Sequence, residues 1–217
     1  MKNIKMLFVI VLLTSFGISS CAENNSTEPI ENQEIISHLT KDTIFNMPVE
    51  EISENENESM IFMREEEKLA RDVYINLYER YGIKVFNNIS KSEQTHMDAI
   101  KYLLEKYSID DPVETDVKGV FKNQELQILY NQLIEQGNKS EIDALKSGAL
   151  IEEVDINDLI NAIDEDVDNV DIELVYNNLL KGSENHLRAF VKNLSARGIN
   201  YEPQLLDIDT FNSILNK

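Results

Sequence analysis

The pattern Glu93-Gln94-Thr95-His96 sets the strictest condition on how this chain can fold. The segment around it, Ser90 to Ile100, has a helical pattern, and on a helix positions i and i+3 share a face. Glu93 and His96 therefore point the same way. Ile89, Ile100, Leu103 and Tyr107 extend their stripe in both directions, so this is the face to be buried. A buried carboxylate without a partner is costly. A metal ion can bind an acid and an imidazole at once, which makes it one economical partner. A lone E-x-x-H recurs often by chance, and a plain acid–histidine hydrogen bond also satisfies it. The pattern gains weight only when other segments bring matching groups.

Three further helices do so. The helix carrying Glu93 is expected from about Val85 to Tyr107. Before it, Phe62, Leu69, Ala70, Val73 and Leu77 predict a helix over Ser53 to Tyr81, with Gly82 as its C-cap. Inside that helix lies Arg64-Glu65-Glu66-Glu67-Lys68. Glu66, four after Phe62 and seven before Val73, is centred on the apolar stripe. Glu65 and Glu67 are expected on the flanks, pairing in solvent with Lys68 or Arg71. A third helix, Ser140 to about Ile163, turns Glu152 inward, three after Ala149 and seven before Leu159. Glu153 is its close rival. Asp155 reads as a ligand, as a hydrogen-bond partner of a ligand, or as solvated. A fourth helix, Val170 to about Ala196, places His186 on the stripe of Val175, Leu179, Phe190 and Leu194. Ser183 stands where a second E-x-x-H would carry glutamate. His38 has no such carboxylate partner and reads as a surface histidine.

The connections suit an all-α domain. Asp110 to about Ser140 is long for a link in a compact domain and reads as a crossover. Within it, Leu126, Leu129, Tyr130 and Leu133 define a short helix over Asn123 to Glu135, capped by Asn123. Asp164 to Asn169 is acidic but lacks the central glycine and closing glutamate of an EF-hand loop, so it reads as a turn. Tyr201 to Gln204 reads as an extended strap, followed by a short helix over Asp207 to Leu215.

The N-terminus reads as an address. Lys2 and Lys5 precede an apolar run from Met6 to Leu13, and small residues follow, as in a secretory signal over residues 1–20. The segment Ile18-Ser19-Ser20-Cys21 resembles a bacterial lipobox, which implies a lipid anchor on Cys21, the single cysteine of the chain. Residues 21–46 are expected as a flexible tether and lead-in, and residues 47–217 as one domain. The expected location is the cell envelope, bound to the membrane through that lipid. Twenty Lys and Arg against 40 Asp and Glu give a formal charge of −20, which argues against nucleic acid as a partner. Seven Gly, four Pro and no Trp favour helices over a β-sandwich.

The inward polar set is Glu66, Glu93, His96, Glu152 and His186, drawn from four helices. Burying it is expensive unless its members share a partner. The runs M-R-E-E-E-K-L-A-R-D-V-Y, S-E-Q-T-H-M-D-A-I, G-A-L-I-E-E-V-D-I-N-D-L and G-S-E-N-H-L-R-A-F, in that order over about Met47 to Gln204, resemble a family of ferritin-like domains. That family is a domain of unknown function, distantly similar to rubrerythrin. The resemblance implies a ferritin-like four-helix bundle with a long crossover carrying a short extra helix. It also implies a di-metal site ligated by Glu66, Glu93, His96, Glu152 and His186, with di-iron the leading expectation and Mn or Zn the others. Ser183 departs from the rubrerythrin pattern and puts full occupancy of a second metal in doubt; Asp155 or Glu153 could substitute. The implied activity is iron oxidation or peroxide or O2 reduction. The alternative is a non-catalytic metal-binding or interaction lipoprotein holding a single Zn or other divalent ion. A homodimer is allowed.

Overall fold

Seven helices and no strands make up residues 39–217, the part that the computed structural model describes. The signal over 1–20, the lipidated Cys21, the tether and His38 lie outside the described residues. The helices are α1 (Lys41–Phe45), α2 (Glu54–Tyr81), α3 (Lys84–Tyr107), α4 (Gln124–Gly137), α5 (Glu141–Glu165), α6 (Val170–Ser195) and α7 (Ile208–Leu215). The class is all-α, as the periodicity predicts. No described helix is long and apolar enough to cross a membrane.

Local chemistry sets the helix ends. Ser53 opens α2 with a reciprocal cap: its Oγ accepts from the Glu56 N–H, and the Glu56 carboxylate accepts from the Ser53 N–H. The other Glu56 oxygen accepts from the N–H groups of Asp168 and Asn169, which ties the α5–α6 turn to the start of α2. Gly82 closes α2 at φ 67°, a left-handed position where a side chain is strained. Asn123, Ser140 and Asp207 cap α4, α5 and α7 through their side chains, at the positions the sequence marks.

α2 packs along α3, and α5 along α6; the two pairs meet through α3 against α6 and α2 against α5. Gly148 permits close approach within the second pair, since a Cβ there would lie 2.5 Å from the Phe190 ring. The apolar interior forms two clusters. One gathers Leu69, Val73, Tyr74, Phe86, Leu145 and Phe190. The other gathers Met60, Met63, Ile100, Leu103, Leu159 and Leu179. On α2, α3 and α6 the inward acids and histidines fall at the boundary between the clusters; on α5 Glu152 lies between Ile151 and Ile156 of the first cluster.

Two expectations need correction. Glu65 and Glu67 are not in solvent: α2 is buried on every side from Met63 to Tyr74. The crossover between α3 and α4 covers the face that a two-sided helix would expose. Glu65 accepts from the N–H groups of Lys122 and Asn123 at 2.5 and 2.9 Å. Lys68 donates to Asp72 and to the Val117 carbonyl, Arg64 pairs with Asp111, and Arg71 pairs with Asp72 and Asp116. The charged run therefore clamps the crossover. The second correction concerns the lead-in. Its end forms α1, whose Ile44 is fully buried, and Lys106 Nζ donates to the carbonyls of Ile44, Met47 and Pro48.

Glu153 holds the C-terminal strap. Its carboxylate accepts from the N–H groups of Gln204, Leu205 and Leu206 and from the Tyr201 hydroxyl, between 2.6 and 3.1 Å. Hydrogen bonds to a buried charge are the strong ones, and their removal strands the donors. Glu153→Ala is expected to lower stability by about 3 kcal/mol and to loosen α7. Urea unfolding with hydrogen exchange over residues 201–215 checks this; a change near zero would contradict the assignment.

Candidate metal centre

α3 supplies the centre of the site. Glu93 and His96 are both fully buried, and Glu93 Oε2 lies 2.8 Å from His96 Nδ1. From α2, Glu67 Oε2 lies 3.0 Å from the same nitrogen. The other Glu93 oxygen, Oε1, lies 2.9 Å from His186 Nδ1 on α6. Glu152 Oε2 on α5 is 3.4 Å from that nitrogen. Two groups result, Glu67/Glu93/His96 and Glu93/Glu152/His186, each with its ligand atoms within 4.8 Å of one another. Glu93 belongs to both and turns one oxygen to each. The two imidazoles lie side by side, centroids 5.5 Å apart and 24° from parallel.

His96 Nδ1 and Glu67 Oε2 form a hydrogen bond, while the other close contacts leave ligand atoms that could hold a cation. Both Glu93 oxygens, Glu152 Oε2, His186 Nδ1, His96 Nε2 and Asp155 Oδ2 are buried without a hydrogen-bond partner. Glu93 thus approaches both nitrogens closely, yet not along a hydrogen-bond direction. Nitrogen and oxygen ligands about 2.0–2.2 Å from one ion stand about 2.8–3.6 Å apart in octahedral or tetrahedral geometry. The observed 2.8–3.4 Å spacings match that range. Carboxylates with imidazoles suit Fe, Mn or Zn.

Neighbouring groups fix the donors. Ser92 Oγ lies 3.0 Å from His186 Nε2, and the tautomer that donates there turns the Nδ1 lone pair toward Glu93 and Glu152. The Tyr74 hydroxyl donates to Glu152 Oε1 at 2.5 Å, holding Oε2 toward His186. The nearby cations are spent elsewhere, since Arg64, Lys68 and Arg71 clamp the crossover.

The sequence-predicted residues fare differently. Glu93, His96, Glu152 and His186 are brought together. Glu66 is buried beside them but is in neither group; Glu67 takes the position expected of it. Glu153 faces away, toward the strap. Asp155 is buried, not solvated, with Glu67, Glu66, Glu152 and Glu93 as its charged neighbours. Ser183 turns its hydroxyl to the Leu179 carbonyl of its own helix, and the second group forms without a carboxylate at that position. Nothing in the helical stripe distinguishes Glu67. The signal was three consecutive glutamates on a helix too apolar-flanked to leave all of them in water.

Burial and charge compete in setting proton affinities. Burial pushes the carboxyls of Glu67 and Glu152 up to about 7, though His96 and His186 pull the other way. Burial, then the acids around them, drives Glu66 and Asp155 well above the usual carboxylate range. Burial would lower both histidines, but the facing carboxylates outweigh it; His96 is raised well above its ordinary value and His186 to about 9. Burial would raise Glu93 too, yet the two imidazoles hold it well below its ordinary value.

These features define an all-α protein with a buried carboxylate–histidine cluster shared by four helices. The family profile described as "Uncharacterized protein domain (DUF2202)" matches residues 56–217, and the chain belongs to that family. It is 54% identical over 173 residues to "Uncharacterized protein MJ0754" of Methanocaldococcus jannaschii, a match covering 80% of this chain and 93% of that protein. The crystal structure of hypothetical protein MJ0754 from Methanococcus jannaschii superposes with a TM-score of 0.78 at 54% identity, covering 79% of this chain and 98% of that one.

The proton affinities give a signed prediction for the metal-free protein. His96, His186, Glu66, Glu67, Glu152 and Asp155 all hold protons more tightly when folded than at their ordinary values. Each therefore contributes stability at low pH that is lost as pH rises through its folded value. Glu93 acts oppositely, but only in the acid range. Chelator-treated protein is expected to lose Tm steadily from about pH 5 to about pH 9. Bound Fe2+ or Zn2+ reverses the slope, because protons then compete with metal. Scanning calorimetry at stepped pH with and without chelator checks this; chelated protein that gains stability as pH rises would contradict it.

Proposed function

We propose that this chain is a ferritin-like four-helix bundle whose Glu/His layer holds two divalent cations, iron foremost, and that it acts in iron oxidation or in peroxide or O2 reduction. The single observation that carries this reading is the division of Glu93 between two imidazole-bearing groups. One carboxylate with an oxygen in each group is what a bridge between two neighbouring ions requires. The N-terminal signal pattern and the lipobox around Cys21 support a lipid-anchored place at the cell envelope.

The roles of the side chains follow from their positions. Glu93 spans the two groups. Glu67 and Glu152 each serve one, and as flexible carboxylates they can follow a change in ion charge. His96 and His186 fix position, with the Ser92 hydroxyl holding the second ring. Tyr74 orients Glu152. The apolar clusters above and below exclude bulk water, which strengthens every charge interaction between them. Two irons in such a centre supply the two electrons that, with two protons, convert peroxide to two waters. With one cysteine in the chain, resupply of electrons falls to an external donor.

A second reading rests on Ser183. With no carboxylate at that position of α6, one group is poorer in acid than the E-x-x-H pattern would make it. That favours a single tightly held Zn in a non-catalytic binding lipoprotein.

Metal analysis after anaerobic loading with Fe2+ separates the readings. Two irons per chain are expected. Glu93→Ala should lose both, while His96→Ala and His186→Ala should lose one each. Tyr74→Phe should weaken binding by about tenfold. Peroxide or O2 should then consume Fe2+ faster than in buffer and give a near-ultraviolet absorption band. One firmly held Zn with no redox response would select the second reading, and no bound metal would refute both.

A further inference from the structure

The methionines near the Glu/His centre lie on one side of it. The chain has six, of which Met47, Met60, Met63 and Met97 fall among the described residues. Met60, Met63 and Met97 are buried, whereas Met47 is partly exposed. On α2, Met60 and Met63 belong to the second apolar cluster, and Glu67 follows Met63 by four residues. On α3, Met97 comes directly after His96 and four residues after Glu93. Residues four apart on a helix are neighbours on one face. Two contacts between α2 and α3 bring Met63 and Met97 to a common height. His96 meets Glu67 at 3.0 Å, and Arg64, next to Met63, donates to the Met97 carbonyl at 3.0 Å. The two thioethers therefore adjoin the Glu67/Glu93/His96 group. The first apolar cluster, which begins on α2 at Leu69, contains no methionine.

Methionine fills gaps in cores, and leucine of nearly the same volume does so too. Gap-filling gives no reason for the three buried methionines to share one side of the centre. The thioether differs from a leucine side chain in being oxidisable to the sulfoxide. Peroxide transfers one oxygen to the sulfur: the O–O bond breaks and an S–O bond forms. Sulfur gives up two electrons, and the second oxygen leaves as water with both protons. The step draws on no outside electron donor, which suits a chain with a single cysteine.

We propose that Met63 and Met97 are oxidation sites of this protein, where peroxide that enters the Glu/His layer and escapes reduction there is consumed as methionine sulfoxide and water. This rests on the reading of the centre given above. Bound ions give peroxide a place in the layer. Without them, burial keeps bulk peroxide from both sulfurs, and the partly exposed Met47 is the one it reaches. The sulfoxide is returned to the thioether by a sulfoxide reductase.

The test uses the purified full-length chain, loaded anaerobically with Fe2+ or stripped of metal, and given a small excess of hydrogen peroxide. Peptide mass spectrometry reads sulfoxide at Met47, Met60, Met63 and Met97, and the Fe2+ remaining is measured on the same samples. In loaded protein, sulfoxide at Met63 and Met97 is expected to exceed that at Met47 by about tenfold, and stripping the metal reverses the order. A Met63→Leu, Met97→Leu double variant keeps apolar volume. It is expected to bind iron as wild type does, and the peroxide it consumes beyond its Fe2+ falls by the sulfoxide lost. Fe2+ oxidised with Met47 modified ahead of Met63 and Met97 would overturn the proposal and leave the centre standing. So would equal sulfoxide at Met63 and Met97 in loaded and stripped protein, or unchanged peroxide consumption in the variant. Wild-type protein that takes up no Fe2+ would remove the centre and the oxidation sites together.

Discussion

Carboxylates gathered in an apolar interior repel one another and lose their hydration, and the rest of this structure is arranged around that cost. Glu66, Glu67, Glu93, Glu152 and Asp155 are all buried within one layer. Among the described residues, the imidazoles of His96 and His186 are the basic groups that contact them. The arginines and lysines that could have neutralised the layer instead bind Asp72, Asp111 and Asp116 on the far side of α2. An interior this acidic is tolerable when cations enter it, or when protons do. The two possibilities leave opposite signatures in the pH dependence of stability, because protons favour the metal-free fold and compete against the metal-bound one.

Each element has a part in placing the layer. The paired long helices bring one or two polar side chains each to a common height. The two apolar clusters seal that height from both ends. The crossover between α3 and α4 would be a poor scaffold by itself, and α2 grips it with Arg64, Glu65, Lys68 and Arg71. Covering α2 in this way removes its solvent face and leaves Glu67 no direction but inward. The strap after α6 is likewise held by a buried acid, Glu153, whose oxygens are filled by backbone N–H groups. Adjacent residues on one helix therefore serve unrelated ends: Glu152 faces the imidazole and Glu153 the strap.

Much of this was legible in the sequence, because helix periodicity and capping are local. Ser53, Asn123, Ser140 and Asp207 mark helix starts that the structure reproduces. His186 and Glu152 sit on stripes clear enough to be read as inward. The choice among Glu65, Glu66 and Glu67 was not legible. A stripe argument assumes one buried face and one wet face, and α2 has no wet face from Met63 to Tyr74. Which glutamate meets His96 depends on the rotation of α2 against α3, and the separate use of Glu65 depends on a crossover that returns from far along the chain. α1 escaped notice because five residues are too few to show a period. Its docking depends on Lys106, 62 residues beyond Ile44.

The central claim is that Glu93 stands between two cation positions. Anomalous diffraction at the iron edge, from crystals grown anaerobically with Fe2+, tests it most directly. Two peaks are expected, one within about 2.0–2.3 Å of oxygen and nitrogen atoms of Glu67, Glu93 and His96, the other equally close to Glu93, Glu152 and His186. Density with no peak on either side of Glu93, and with Glu93 hydrogen-bonded directly to both His96 and His186, would contradict it.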